Sequence, residues 1–141
     1  MRSFALRSVA GSFALVMLAI VVGACASGHS TPVDASVIPK LAGAKWTGYV
    51  IGKSGSAAPA TMNIQADGNY KIVIINPDIS ATGKLSVVNG QLILTNTGIT
   101  GPAQDLAPAN AVLDYSEKGG KQQLSGFGHN DAGPFSIAFS R

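Results

Sequence analysis

Residues 81–96 read ATGKLSVVNGQLILTN, and two features of this stretch decide the fold class. Leu85 and Val87 share one face before Asn89-Gly90, and Leu92 and Leu94 share one face after it. A period of two is the period of a strand, because successive Cβ atoms point to opposite faces. Asn-Gly between two such runs is a strong hairpin signal, since both central residues of a type I′ turn need positive φ. The stretch predicts two antiparallel strands, a two-residue turn and one shared apolar face.

The same pattern extends in both directions. Upstream stand KWTGYVIG (45–52), TMNIQ (61–65), the turn signal Asp67-Gly68 and NYKIVII (69–75). Downstream stand AVLDYS (111–116), the turn EKGGK, QQLSGFG (122–128), a turn around HNDAGP and FSIAFS (135–140). Alternation turns Trp46, Val50, Met62, Ile64, Tyr70, Ile72 and Ile74 inward, followed by Leu113, Tyr115, Leu124, Phe135, Ile137 and Phe139. Seventeen glycines and seven prolines fit a turn-dense β fold, and beyond the N-terminal apolar run no stretch sustains helical spacing. The expected fold is all-β: a small antiparallel meander barrel of about eight short strands, with a β-sandwich as the alternative. Closure would also remove the exposed edge strands of an open sheet.

Trp46-Thr47-Gly48 resembles, in reversed order, the Gly-x-Trp start of lipocalin-like and other calycin barrels. That resemblance covers three residues and implies a barrel with the tryptophan plugging one end. The bulky inward residues predict a filled interior, while Gly48, Ala81, Gly83, Gly126 and Gly128 leave room for a small cleft.

The N-terminus has a different character. Arg2 and Arg7 precede VAGSFALVMLAIVV (9–22), an uncharged run of about fourteen residues, short of the roughly 20 that a membrane-crossing helix needs. A basic start and a short apolar run are the layout of an export signal. Val22-Gly23-Ala24-Cys25 resembles the lipobox of bacterial lipoproteins, which implies cleavage between Ala24 and Cys25 and lipidation of the Cys25 thiol. One acyl chain holds a protein marginally at a bilayer, whereas two or more anchor it stably. Cys25 is the single cysteine, so no disulfide forms within the chain. Ala26, standing where aspartate would follow the cysteine in an inner-membrane lipoprotein of enteric bacteria, resembles an outer-membrane address. The expected domains are a signal peptide (1–24), a lipidated N-terminus with a disordered linker (25–42) and the barrel (43–141). Pro32 and Pro39 punctuate that linker.

Charge excludes one class of partner. The formal charge of +3 includes Arg2 and Arg7, so the part from Cys25 onward holds eight basic and seven acidic residues. Basic residues are spaced singly, without the clustered footprint of a nucleic-acid binder. Catalytic signals are equally thin. Most carboxylates sit in or beside turns, where Asp bonds its own backbone. His129 and Asp131 are neighbours in a loop, without a nucleophile-elbow serine. Gly52-Lys53-Ser54-Gly55-Ser56 lacks phosphate-loop spacing. His29 and His129 have no cysteine or acidic cluster to complete a metal site. No enzyme activity, cofactor or metal is expected.

Recognition by the surface remains. The outward residues Tyr49, Ile51, Val73, Ile75, Ile93, Val112 and Phe127 are more apolar than a solvated wall requires, and together they form a candidate partner surface. Thr95–Asn110 reads as one long connection, of the kind that often carries binding function. The expected function is a lipid-anchored, non-catalytic envelope protein, outer-membrane and periplasm- or surface-facing, that binds a protein or envelope component. The alternatives are a carrier of a small apolar ligand and an inhibitor of host lysozyme or protease, whose families share this size, anchor and β content.

Overall fold

The computed structural model describes residues 31–75, 78–101, 110–130 and 133–141. The lipobox, His29, Asp105 and Asp131 lie outside them.

Eight antiparallel strands close into a barrel in sequence order: β1 (Trp46–Ile51), β2 (Ala57–Ile64), β3 (Asn69–Ile74), β4 (Ile79–Val88), β5 (Gln91–Thr100), β6 (Asn110–Lys118), β7 (Lys121–Asn130) and β8 (Gly133–Ser140). Closure is made by β1 against β8, with Gly48 opposite Phe139 and Val50 opposite Ile137. Each expected strand is present, and several run longer than expected, to ten residues in β4, β5 and β7. The barrel, not the sandwich, is the fold.

Turn chemistry follows the sequence at Asn89-Gly90, where φ is 52° and 77°. Asp67-Gly68 differs. Gly68 has φ 90°, but Asp67 is not in the positive-φ region, and the Gly68 amide donates to the Gln65 carbonyl at 2.9 Å. This is a three-residue loop with glycine in the left-handed position. Asp67 steadies it by accepting from the Asn69 amide through Oδ1 at 2.9 Å.

The expected inward residues form one continuous core, fully buried except for Val87 and Tyr115, which pack against its margin. The inward glycines make that core compact. Gly83 stands opposite Tyr70, Gly126 opposite Leu113 and Gly128 opposite Phe135. A Cβ on Gly83 would lie 2.5 Å from Tyr70 Oη, and one on Gly128 would lie 2.3 Å from Phe135 Cζ. Each missing side chain is thus replaced by a large neighbour, which fills the cleft that the glycines had left open.

Tyr70 has a cost that tests this packing. Its hydroxyl is buried without a hydrogen-bond partner, and burial pushes the phenol far above its usual value of 10.0. The folded state therefore holds the proton more tightly than the unfolded state. The stability linked to that proton is complete below about pH 10 and is lost as pH rises beyond it. Tyr70→Phe is expected to leave the urea midpoint at neutral pH unchanged, or to raise stability by up to about 1 kcal/mol. It is also expected to flatten the loss of stability above about pH 10.

Two expectations need correction. The segment read as linker is ordered against the barrel from Val33 onward. Its amide donates to the Gly90 carbonyl at 2.9 Å, and a short helix α1 (Val37–Leu41) buries Val37 and Leu41 at the barrel end. VDASVIPKL holds too few residues for a helical period to register, yet its apolar residues cover core that would otherwise meet water. Likewise, Thr95–Asn110 is not one connection. β5 continues to Thr100, with Thr82 opposite Gly98 and Ser80 opposite Thr100, past a register shift at Thr82/Gly83. Polar pairs hold this extension: Ser80 Oγ and Thr100 Oγ1 are 2.6 Å apart, and Thr97 Oγ1 donates to the Thr82 carbonyl. A polar, glycine-containing strand looks like a loop in sequence.

Trp46 seals the end covered by α1. Its side chain is fully buried, and Nε1–H donates to the Leu41 carbonyl at 3.0 Å. Arg141 lies over the ring, 4.6 Å from its centroid, and donates to the carbonyls of Lys40, Leu41 and Ala42. These are the carbonyls that a helix C-terminus leaves unpaired.

Candidate functional site

With the interior occupied by the chain's own side chains, recognition falls to the surface of the barrel, and the expected apolar residues lie on its outer wall. Strand register shows which of the seven expected residues meet there. Ile93 is opposite Val112, and Val112 is opposite Phe127, so these three form one row across β5, β6 and β7. Phe127 is opposite Ser136, and Ser136 is opposite Ile51, which extends the row onto β1. Phe127 is 78% exposed and Val112 45%, while Ile93 and Ile51 are half-buried.

Tyr49 and Ile75 belong to a neighbouring row. Tyr49 is opposite Ala138 on one side and Pro59 on the other. The Ile75 amide donates to the Pro59 carbonyl at 3.0 Å, so Pro59 joins the two. Tyr49 and Ile75 are both exposed. Val73, opposite Thr61 and Ser80, sits between polar neighbours and extends neither row. Pro59 was the missed residue, because a proline within a strand reads as punctuation until β1 and β3 are known to flank it.

Part of this wall forms a shallow groove lined by Ile93, Asn110, Val112, Phe127 and His129. Phe127 stands free because Ser136, its partner on β8, is too short to cover the ring. His129 is at the groove's edge, between Asn110 and Pro134 in register. The groove therefore offers an exposed aromatic ring, two branched aliphatics and polar groups at one margin. That composition suits contact with another apolar surface. Elsewhere the wall carries Asn63, Lys71, Thr82, Lys84 and Ser125, all exposed. Apolar inside and largely polar outside is the reverse of a membrane-spanning barrel, which presents an apolar band to lipid.

Among the described residues no group of three His, Cys, Asp or Glu side chains could hold a metal ion, and no helix is long and apolar enough to cross a membrane.

No family model matches the chain, and no curated protein matches it. A solved NMR structure of a protein from Burkholderia xenovorans is similar to it, at 14% identity over 78% of this chain and 89% of the other, with a TM-score of 0.43.

Proposed function

We propose that this chain is a non-catalytic, lipid-anchored envelope protein, held through Cys25 at the outer membrane. Its barrel recognises a protein or another envelope component through the outer wall of β5, β6 and β7. The observation that carries the reading is Phe127, 78% exposed at the centre of an apolar row on a barrel whose interior is already filled. A soluble wall gains nothing from such a ring, whereas an interface centred on it would bury most of its area. The filled core favours this reading over a carrier of small apolar ligands.

The test is a photoreactive residue placed at position 127 in intact cells, compared with the same residue at Lys71 on the far side of the barrel. A discrete adduct from position 127, absent from position 71 and lost in Val112→Ser, is expected. Equal adducts from both sites, or none, would overturn the reading. Phe127→Ser itself is expected to change stability by no more than about 0.5 kcal/mol. It should weaken partner binding by about 2 kcal/mol or more, roughly thirtyfold, in a titration against the cross-linked partner.

A further inference from the structure

We propose that the α1-covered end of the barrel docks on the anionic lipid headgroups of the membrane that holds the protein. The inference rests on the Cys25 anchor proposed above and adds an orientation to it.

The first support is the path of the chain. Val33 is bonded to Gly90, and a Cβ on Gly90 would lie 3.1 Å from Pro32 Cβ, so the chain reaches the barrel at the β4–β5 turn. The β2–β3 turn and the β6–β7 turn at Gly119-Gly120 are at the same end, together with α1 and Arg141. Seven residues separate Cys25 from Val33, and the eight Cα–Cα steps between them span at most about 27 Å. A ten-residue strand is about 33 Å long, and at a tilt near 40° it keeps the two barrel ends roughly 25 Å apart. The tether therefore favours the α1 end facing the bilayer.

The second support is charge. Among the described residues this end carries Lys40, Lys45, Lys118 and Lys121 against Asp34, Asp67 and Glu117, with Arg141 already engaged over Trp46 and on the Lys40, Leu41 and Ala42 carbonyls. The opposite end carries Lys53 against Asp78. Lys118 and Lys121 are paired directly across the β6–β7 turn, an arrangement that repels within a sheet. The adjacent Glu117 is engaged by Tyr115, whose hydroxyl donates to Oε2 at 2.9 Å. A negative surface below the turn would satisfy both lysines at once, and each basic group at such a surface favours contact by about fivefold.

The experiment uses the protein purified from a bacterial host expressing the full chain, mixed with vesicles of neutral phosphatidylcholine or with vesicles containing about 30% phosphatidylglycerol to supply a negative surface. A spin label is attached at Ser116→Cys near the α1 end, or at Ser54→Cys at the opposite end. Its relaxation by a paramagnetic chelate on lipid headgroups is then measured. At position 116 relaxation is expected to be several-fold stronger than at position 54 in anionic vesicles. The contrast is expected to shrink in neutral vesicles, at high salt and in the Lys118→Glu, Lys121→Glu double variant, which should melt as the parent does. Equal relaxation at both ends of vesicle-bound protein, or a contrast indifferent to lipid charge and salt, would overturn the docking while leaving the anchor intact. Protein that does not sediment even with neutral vesicles would overturn the anchor, and the docking with it.

Discussion

Gly48→Ala is expected to lower stability by about 3 kcal/mol or more, a fall in Tm of roughly 12–24 °C for a domain of this size. Gly48 faces inward on β1 opposite Phe139, at the seam where β1 meets β8 and the barrel closes. A Cβ there would stand 1.8 Å from the Ala138 carbonyl oxygen and 2.8 Å from Phe139 Cα. These are backbone atoms, so no rotamer change relieves the clash and β8 itself must move. Gly48 is not in the positive-φ region, so the effect comes from close approach alone. Gly55→Ala supplies the contrast. Gly55 has φ 78° but nothing within 4 Å of a Cβ, and the expected cost is only the left-handed strain of about 1 kcal/mol. Thermal melts of the two variants side by side separate packing from backbone preference. A Gly48→Ala variant that melts with the parent would contradict the described closure.

Trp46→Ala is expected to cost about 4 kcal/mol and to free α1 from the barrel end. The substitution removes the largest fully buried side chain, the hydrogen bond to Leu41 and the ring beneath Arg141. Trp46→Phe keeps an aromatic ring and loses the N–H, so its cost should be nearer 1–2 kcal/mol. The Leu41 carbonyl still accepts from Arg141 Nη1 at 3.1 Å, so that loss leaves no orphaned acceptor. Limited trypsin digestion reads the local effect. Cleavage after Lys40 and Lys45 should accelerate in Trp46→Ala well before global unfolding, and should stay slow in Trp46→Phe. Unchanged cleavage in Trp46→Ala would mean that α1 is held by something other than this cap.

What the sequence disclosed and what it hid follow from how far each signal reaches along the chain. Alternation is local, and it assigned the inward faces of all eight strands. Asn89-Gly90 is local too, and the turn has the expected conformation. Closure depends on β1 meeting β8 across nearly the whole domain, which no local pattern encodes. It could be expected only because eight one-faced strands would otherwise leave exposed edges. The extension of β5 was hidden because NTGIT owes its strand state to cross-strand partners on β4. The α1 segment was hidden because five residues cannot show helical periodicity, and burial of Val37 and Leu41 is what holds them. At the candidate site, all seven apolar outward residues could be named from alternation, but their grouping required register. Ile93, Val112 and Phe127 share a row, whereas Val73 stands apart among Thr61 and Ser80.

The proposed function begins at Cys25, and intact mass tests it most directly. The full chain would be expressed in a bacterial host, and membrane-extracted protein compared with its Cys25→Ser variant. A wild-type mass equal to the chain beginning at Cys25 plus acyl groups is expected, with no such species in the variant. A wild-type protein without acyl groups, whether cut or uncut, would contradict the anchored envelope protein proposed here.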